Sequence, residues 1–217
     1  MTHSKQLGFW AGEFGRAYTE RNAACNFDPK RLARMGEIFK EMLSHASGVR
    51  RILEVGCNTG HNLSILRDLG DFELVGVEPQ DAAREEGMRR GVAETILPGD
   101  AFHLPFEDGS FDLVLTTGVM MHISPDDILR AMAEFRRVSR KCYFTMDYFE
   151  ETETAVANYH GHDDLLWRRD MRKVVARSDP GATLLWEQCV GQDRDIGKQT
   201  WAFLFAFGGK AAGISGC

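Results

Sequence analysis

Five short apolar runs recur along the chain, each followed by a more polar segment, and this alternation limits the possible folds more than any other feature. The runs are 50–56 (RRILEVG), 72–78 (FELVGVE), 94–100 (ETILPGD), 111–118 (FDLVLTTG) and 141–148 (KCYFTMDY). Near-continuous apolar strands separated by helices predict a parallel sheet covered on both faces. Helical spacing is plain over 28–46, where Leu32, Met35, Ile38, Phe39 and Met42 share a face behind Asp28-Pro29. It is clearest over 124–139: Ser124 suits the cap, Pro125 the first helical position, Asp126 and Asp127 the positive dipole end, and Ile128, Met132 and Phe135 the inner stripe. The stretch 165–177 also reads as a helix, capped by Asp163 or Asp164, with Trp167, Met171, Val174 and Val175 as its stripe. The ending breaks the pattern. Runs 182–190 (ATLLWEQCV) and 199–207 (QTWAFLFAF) are β-rich and only eight residues apart, too few for a crossover helix, so they should pair antiparallel.

The pattern therefore predicts an α/β fold: a mostly parallel seven-stranded sheet closed by a C-terminal antiparallel hairpin, with helices on both faces. A chain of 217 residues, 43% hydrophobic, can fill one such domain, and no low-complexity linker divides it. A net charge of -6 argues against nucleic acid as a partner. No run approaches the roughly 18 apolar residues that span a bilayer, and the N-terminal MTHSKQLGFW lacks the apolar core of a signal peptide. Cysteines 25, 57, 142, 189 and 217 form no C-x-x-C pair. They suit reduced thiols in a cytoplasmic protein rather than disulfides or a zinc site.

In open α/β sheets ligands bind beyond the carboxyl ends of the strands, and the first strand-to-helix loop lies there. That loop, Gly56-Cys57-Asn58-Thr59-Gly60, fails a dinucleotide fingerprint, which would need glycines where Asn58 and His61 stand. Glu54 at the end of the strand cannot help hold a phosphate but can pair with an ammonium group. Glu78, ending the second strand, can take both hydroxyls of a ribose. Asp100, after the third, can accept from an adenine amino group. Ammonium, ribose and adenine without a diphosphate describe S-adenosylmethionine.

The segments ILEVGCNTGHNL, LVGVEP, GDAFHLPFEDGSFDLVL and MMHISPDD, in this order over about 48–147, resemble the class I S-adenosylmethionine-dependent methyltransferases. That family usually has glycine at the position of Asn58, and asparagine tolerates positive φ better than other non-glycine residues. The flanks FWAGEFGRAYTERN (9–22) and YHGHDDLLWRRD (159–170), with the GCNTGHNL loop, are similar to the methylases associated with pseudaminic acid biosynthesis, although 190–205 departs from them. The resemblance implies a single Rossmann-like domain over 1–217: an N-terminal lid (1–27), a cofactor-binding core (48–147), a substrate-side insertion (148–180), the strand hairpin (181–207) and a flexible tail (208–217).

It also implies a cofactor site built from Glu54, Gly56, Cys57, Asn58 and Gly60 at the methionine end, Glu78 and Pro79 at the ribose, Asp100, Ala101 and Phe102 at the adenine, and Thr117 and Gly118 as the floor. Trp10, Tyr18 and Arg21 would close over it, the alternative being a helix packed on the sheet through Phe9, Trp10 and Phe14. Cys57 reads as buried filler. His122, beyond the fourth strand, suits a general base because an unperturbed imidazole titrates near pH 6.5, or else it only shapes its turn. Asp147 and Tyr148 end the fifth strand on the same rim. Asn22, His160, His162, Arg168 and Arg169 are candidates for the acceptor, although the cations at 168–173 also read as a solvated face. HGHDD (160–164) has metal-binding residue types but no third cluster, so no metal is expected.

The expected activity is methyl transfer from S-adenosyl-L-methionine, giving S-adenosyl-L-homocysteine, to an O, N or C nucleophile of a small molecule, by a monomer or homodimer. Two rivals are a non-catalytic S-adenosylmethionine-binding regulator and an NAD-dependent oxidoreductase.

Overall fold

The structure, a computed structural model, describes residues 4–193 and 198–208. Residues 194–197 and the expected tail beyond 208 lie outside these residues. The chain divides into two compact units, one ending at Pro105 and one starting at Phe106.

The first unit opens with three helices, α1 (Lys5–Ala11), α2 (Glu13–Asn26) and α3 (Pro29–Ser44). Asp28 caps α3 by accepting from the amides of Lys30 and Arg31 at 3.0 Å, and Pro29 sits where no amide is needed. Met35, Ile38, Phe39 and Met42 are its buried stripe, each contributing about 1.5–3 kcal/mol of apolar burial. There follow β1 (Arg51–Val55), α4 (His61–Leu69), β2 (Glu73–Glu78), α5 (Asp81–Arg90) and β3 (Thr95–Pro98). The strands pair in parallel in the order β3-β2-β1, with Val55 opposite Val77 and Glu78 opposite Pro98.

The second unit holds β4 (Phe111–Thr117), a 3-10 turn (Met120–His122), α6 (Ile128–Val138), β5 (Ser139–Phe149), the short strands β6 (Thr154–Ala155) and β7 (Trp167–Arg168), α7 (Met171–Ser178), β8 (Thr183–Asp193) and β9 (Lys198–Ala206). Its strand order is β4-β5-β9-β8. Strands β4 and β5 run parallel, and β9 runs antiparallel to both β5 and β8. The seven longer strands give the mostly parallel sheet with an antiparallel C-terminal hairpin that the sequence predicts. Among the described residues, no helix is long and apolar enough to cross a membrane.

Two local expectations need correction. Helix α6 starts at Ile128, not after Ser124: residues 125–127 form a turn, Asp127 is the cap residue, and the Ser124 hydroxyl donates to the Asp127 carboxylate instead of accepting a helix amide. Helix α7 starts at Met171, because Asp170 accepts from the Arg172 amide at 2.9 Å and fixes the first turn there. Trp167 and Arg168 are strand, paired with Ala155 and Thr154, and Asp163 accepts from the Asn158 amide rather than capping a helix.

Candidate functional site

In the first unit, the loop after β1 turns through left-handed backbone at Gly56 (φ 74°), Asn58 (φ 50°) and Gly60 (φ 75°). Asn58 adopts the positive φ that its residue type tolerates. Every amide of the loop is already used inside the protein. The amides of Gly56 and Cys57 donate to the Val77 carbonyl at 2.7 and 3.2 Å, and that of Asn58 to Glu78 Oε2 at 2.9 Å. The Thr59 amide donates to the Asn58 side chain at 2.9 Å and the Gly60 amide to the Cys57 carbonyl at 2.9 Å. A phosphate needs free amides and no carboxylate beside them. This loop offers neither condition, so a diphosphate does not fit.

Glu78 is buried and accepts one backbone amide on each oxygen, Asn58 on Oε2 and Gln80 on Oε1 at 3.0 Å. Burial pushes its carboxyl above the ordinary range, against those two amides and the Arg84 charge. Each carboxylate oxygen has a second lone pair, so the group retains the capacity to accept from a diol. Glu54 is fully buried and accepts from Asn62 Nδ2 at 2.7 Å. Asp100 makes its own turn, Oδ1 accepting from the Phe102 amide at 2.7 Å; Ala101 is buried, while Phe102 and Pro79 are half-buried. Burial, then the nearby Glu54 and Glu78 charges, push the Cys57 thiol well up, so it stays protonated. The residues present therefore fit an adenosyl group carried without phosphate better than they fit a dinucleotide.

The N-terminal helices are tied to this loop. Asn58 Nδ2 donates to Thr19 Oγ1 at 2.7 Å, and the Gln80 side-chain amide donates to the carbonyls of Gly12, at 2.8 Å, and Trp10. Trp10 meets Phe14 and Tyr18 edge-on, with ring centroids 5.3 and 5.1 Å apart, and the Arg21 guanidinium lies 5.7 Å from the Tyr18 ring. Asn22 Nδ2 donates to the Tyr18 carbonyl within α2. Thr19 and Gln80 escape a reading of the sequence, because nothing in their spacing marks a contact across 39 or 68 residues.

In the second unit, Gly118 (φ 66°) follows the half-buried Thr117 and donates to the Met146 carbonyl at 2.8 Å. His122 is 7% exposed, and its Nδ1 lies 2.7 Å from the Leu165 carbonyl. A carbonyl only accepts, so Nδ1 carries the proton and the lone pair of the neutral ring is on Nε2. The Tyr159 ring lies 5.5 Å from the His122 ring and 4.6 Å from that of His160. His160 and His162 sit in an exposed loop with positive φ at Asn158, His160, Gly161 and Asp164. Among the described residues, no three His, Cys, Asp or Glu side chains gather to hold a metal ion.

Asp147 is 4% exposed, with Oδ1 accepting from the Met121 amide at 3.1 Å and Oδ2 from Thr145 Oγ1 at 2.6 Å. Burial raises its pKa to about 6 against those hydrogen bonds. Tyr148 is half-buried beside it, and its carbonyl accepts from the Arg169 amide.

The cations at 168–173 divide: Arg169 is buried and Arg168 and Arg172 are half-buried, whereas Lys173 is exposed, as a solvated face would have it. Arg169 is 2% exposed, Arg168 pairs with Glu150 at 3.3 Å, Arg172 pairs with Asp170 and Glu187, and Lys173 donates to the Glu151 carbonyl. The strand at 167–168 turns Arg169 inward, which a helical reading of the segment misses.

Residues 53–142 match the family model described as Methyltransferase domain. The chain is 31% identical over 113 residues to an uncharacterised methyltransferase of Schizosaccharomyces pombe, covering 46% of this chain and 39% of that protein. It is 31% identical over 109 residues to a demethylmenaquinone methyltransferase of Beutenbergia cavernae, covering 49% of this chain and 44% of that protein. The chain thus spans less than half the length of these relatives. Among solved structures, it is similar to the 1,6-didemethyltoxoflavin-N1-methyltransferase of Burkholderia thailandensis, seen with 1,6-didemethyltoxoflavin and S-adenosylhomocysteine bound. The TM-score is 0.71 at 13% identity, covering 96% of this chain and 92% of that one. Residues 53–142 are thus similar to a methyltransferase domain, and the chain as a whole has a Rossmann-like fold shared with solved methyltransferases.

Proposed function

We propose that this protein transfers a methyl group from S-adenosylmethionine to an O, N or C nucleophile of a small-molecule acceptor. The observation that carries the reading is the loop at 56–60: its five amides are all spent internally, one of them on the carboxylate of Glu78. That is a poor cradle for the diphosphate of a nicotinamide cofactor and a workable wall beside an adenosyl and methionine moiety. When bound, S-adenosylmethionine would supply an electrophilic sulfonium methyl, with a neutral thioether as the leaving group.

The protein's own work is binding, alignment and proton transfer. Glu78 would take the ribose hydroxyls, Asp100 with Ala101 and Phe102 the adenine, and the backbone at Gly56 to Gly60 with Glu54 the methionine end. On the acceptor side, His122 would take the proton of a hydroxyl or amine at Nε2, since its Nδ1 proton is held by Leu165. Tyr148, Tyr159 and the loop of His160 and His162 would orient the acceptor. The resemblance of the flanks to the pseudaminic acid-associated methylases favours a sugar acid as acceptor, and the similarity to the Burkholderia enzyme favours a small heterocycle equally well.

Two measurements test the reading. S-adenosylhomocysteine should raise the melting temperature while NADH does not; a shift with NADH alone would sink it. Labelled methyl transfer into an extract of small metabolites, read by mass spectrometry, should yield a methylated product that His122→Gln reduces. Tight cofactor binding with no transfer to any acceptor would favour the regulatory rival.

A further inference from the structure

The turn that carries His122 has little to hold it by itself. It is a three-residue 3-10 turn, closed by the His122 amide on the Val119 carbonyl at 2.9 Å and the Ile123 amide on the Met120 carbonyl at 3.3 Å. Such short turns persist only when their surroundings fix them. Here the surroundings match its polarity group by group. Arg169 donates from Nη1 to the Met120 carbonyl at 3.2 Å and from Nη2 to the Ile123 carbonyl at 3.0 Å. Asp147 Oδ1 accepts from the Met121 amide at 3.1 Å.

A guanidinium fork thus binds the turn's carbonyls while a carboxylate binds its amide. Each clamp residue is itself anchored. Arg169 Nε lies 3.0 Å from Glu153 Oε2, and Asp147 Oδ2 continues through Thr145 and Thr116 to the Tyr143 hydroxyl, with links of 2.6, 3.1 and 2.9 Å.

The segment 165–169 does two jobs at once. Its Leu165 carbonyl accepts from the His122 ring, and four residues later its Arg169 side chain holds the Met120 and Ile123 carbonyls on either side of His122. Strand β7 between them pairs with β6, and the Arg169 amide donates to the Tyr148 carbonyl, so the spacing of the two contacts is fixed by backbone pairing. Burying a guanidinium to reach two turn carbonyls is costly for stability alone. It is well suited to fixing where one ring points.

We infer that Arg169 and Asp147 are positioning residues, which clamp the Met120–Ile123 turn and thereby fix the Nδ1–H tautomer and direction of His122. The inference rests on the reading of His122 as the proton acceptor only for its catalytic meaning; the clamp itself stands on the contacts above. Neither residue then needs to touch the acceptor.

The test uses the full chain with 15N-labelled histidine, the His122 signal being assigned by its loss in His122→Gln. Wild type should show His122 as the Nδ1–H tautomer with a slowly exchanging ring proton. In Arg169→Met the ring should become a tautomer mixture and its proton should exchange at least tenfold faster, while the affinity for S-adenosylhomocysteine stays within twofold. An unchanged tautomer and exchange rate in Arg169→Met would overturn the clamp. Asp147→Asn, nearly isosteric, should speed exchange at least threefold, and it decides alone if Arg169→Met does not fold; no change there would equally overturn the clamp. Wild type failing to bind S-adenosylhomocysteine would defeat the methyltransferase reading instead and leave the tautomer comparison standing.

Discussion

Asn58 carries more of the structure than a turn residue in a glycine loop ordinarily does. Its backbone takes the positive φ, its amide meets Glu78, and its side chain spans from Thr59 to Thr19. Asn58→Gly should therefore keep the turn and S-adenosylhomocysteine binding but lose the tie to α2, worth about 0.5–1.5 kcal/mol. Hydrogen exchange over 13–26 should rise while affinity falls by less than about tenfold. Gly56→Val is the opposite case: a β-branched residue at φ 74° is strained by roughly 1–3 kcal/mol or more, and binding measured by titration should vanish.

Asp147 adds a pH signature. Its pKa is about 6 in the folded protein against an ordinary 3.8, so the native state holds the proton more tightly than the unfolded chain. Stability should then fall as pH rises from about 4 to about 6, by roughly 3 kcal/mol from this group. Urea melts of Asp147→Asn should lack that slope, and a variant that kept it would place the titration elsewhere.

At the scale of elements, the N-terminal helices illustrate how one polar side chain fixes a junction. Gln80, at the cap position of α5, donates to two carbonyls at the α1–α2 junction, and a Cβ at Gly15 would collide with the Trp10 carbonyl and the Gln80 amide. Gln80→Ala should free α1 and α2 locally, raising hydrogen exchange over residues 5–26 and trypsin cleavage at Arg16, with a small change in global melting. Unchanged protection would mean that aromatic packing among Trp10, Phe14 and Tyr18 holds the helices instead.

The strand runs are legible because apolar continuity is a one-dimensional signal, and the C-terminal hairpin is legible because eight residues cannot form a crossover. The 165–177 stretch misleads for a physical reason. Its apolar positions fit a helix, but Asp170 offers a cap only to the residues on its C-terminal side, and the backbone before it finds β6 to pair with. The start of α6 is misplaced in sequence because Ser124 takes Asp127 as its partner in preference to a helix amide.

For the whole molecule, ligand linkage gives the broadest check. Anything that binds only the folded state stabilises it by about 2.7 kcal/mol at a hundred times its dissociation constant. For a chain of 217 residues this amounts to a rise of roughly 5–10 °C in melting temperature. S-adenosylhomocysteine should produce such a rise and NADH none. The net charge of -6 predicts in addition that duplex DNA at moderate salt leaves the melting curve unchanged.

The strand succession, the antiparallel close and the left-handed turn at Asn58 are legible in the chain unaided, since each depends on residue type and short spacing. So is the place of Glu78 at a strand end. Folding alone spends the amides of Gly56 to Gly60 inside the protein, buries Arg169 and sets the Leu165 carbonyl against the His122 ring. Hydrogen bonds between groups 20 to 49 residues apart leave no periodic trace in a sequence, because the distance that matters to them exists only once the chain has folded.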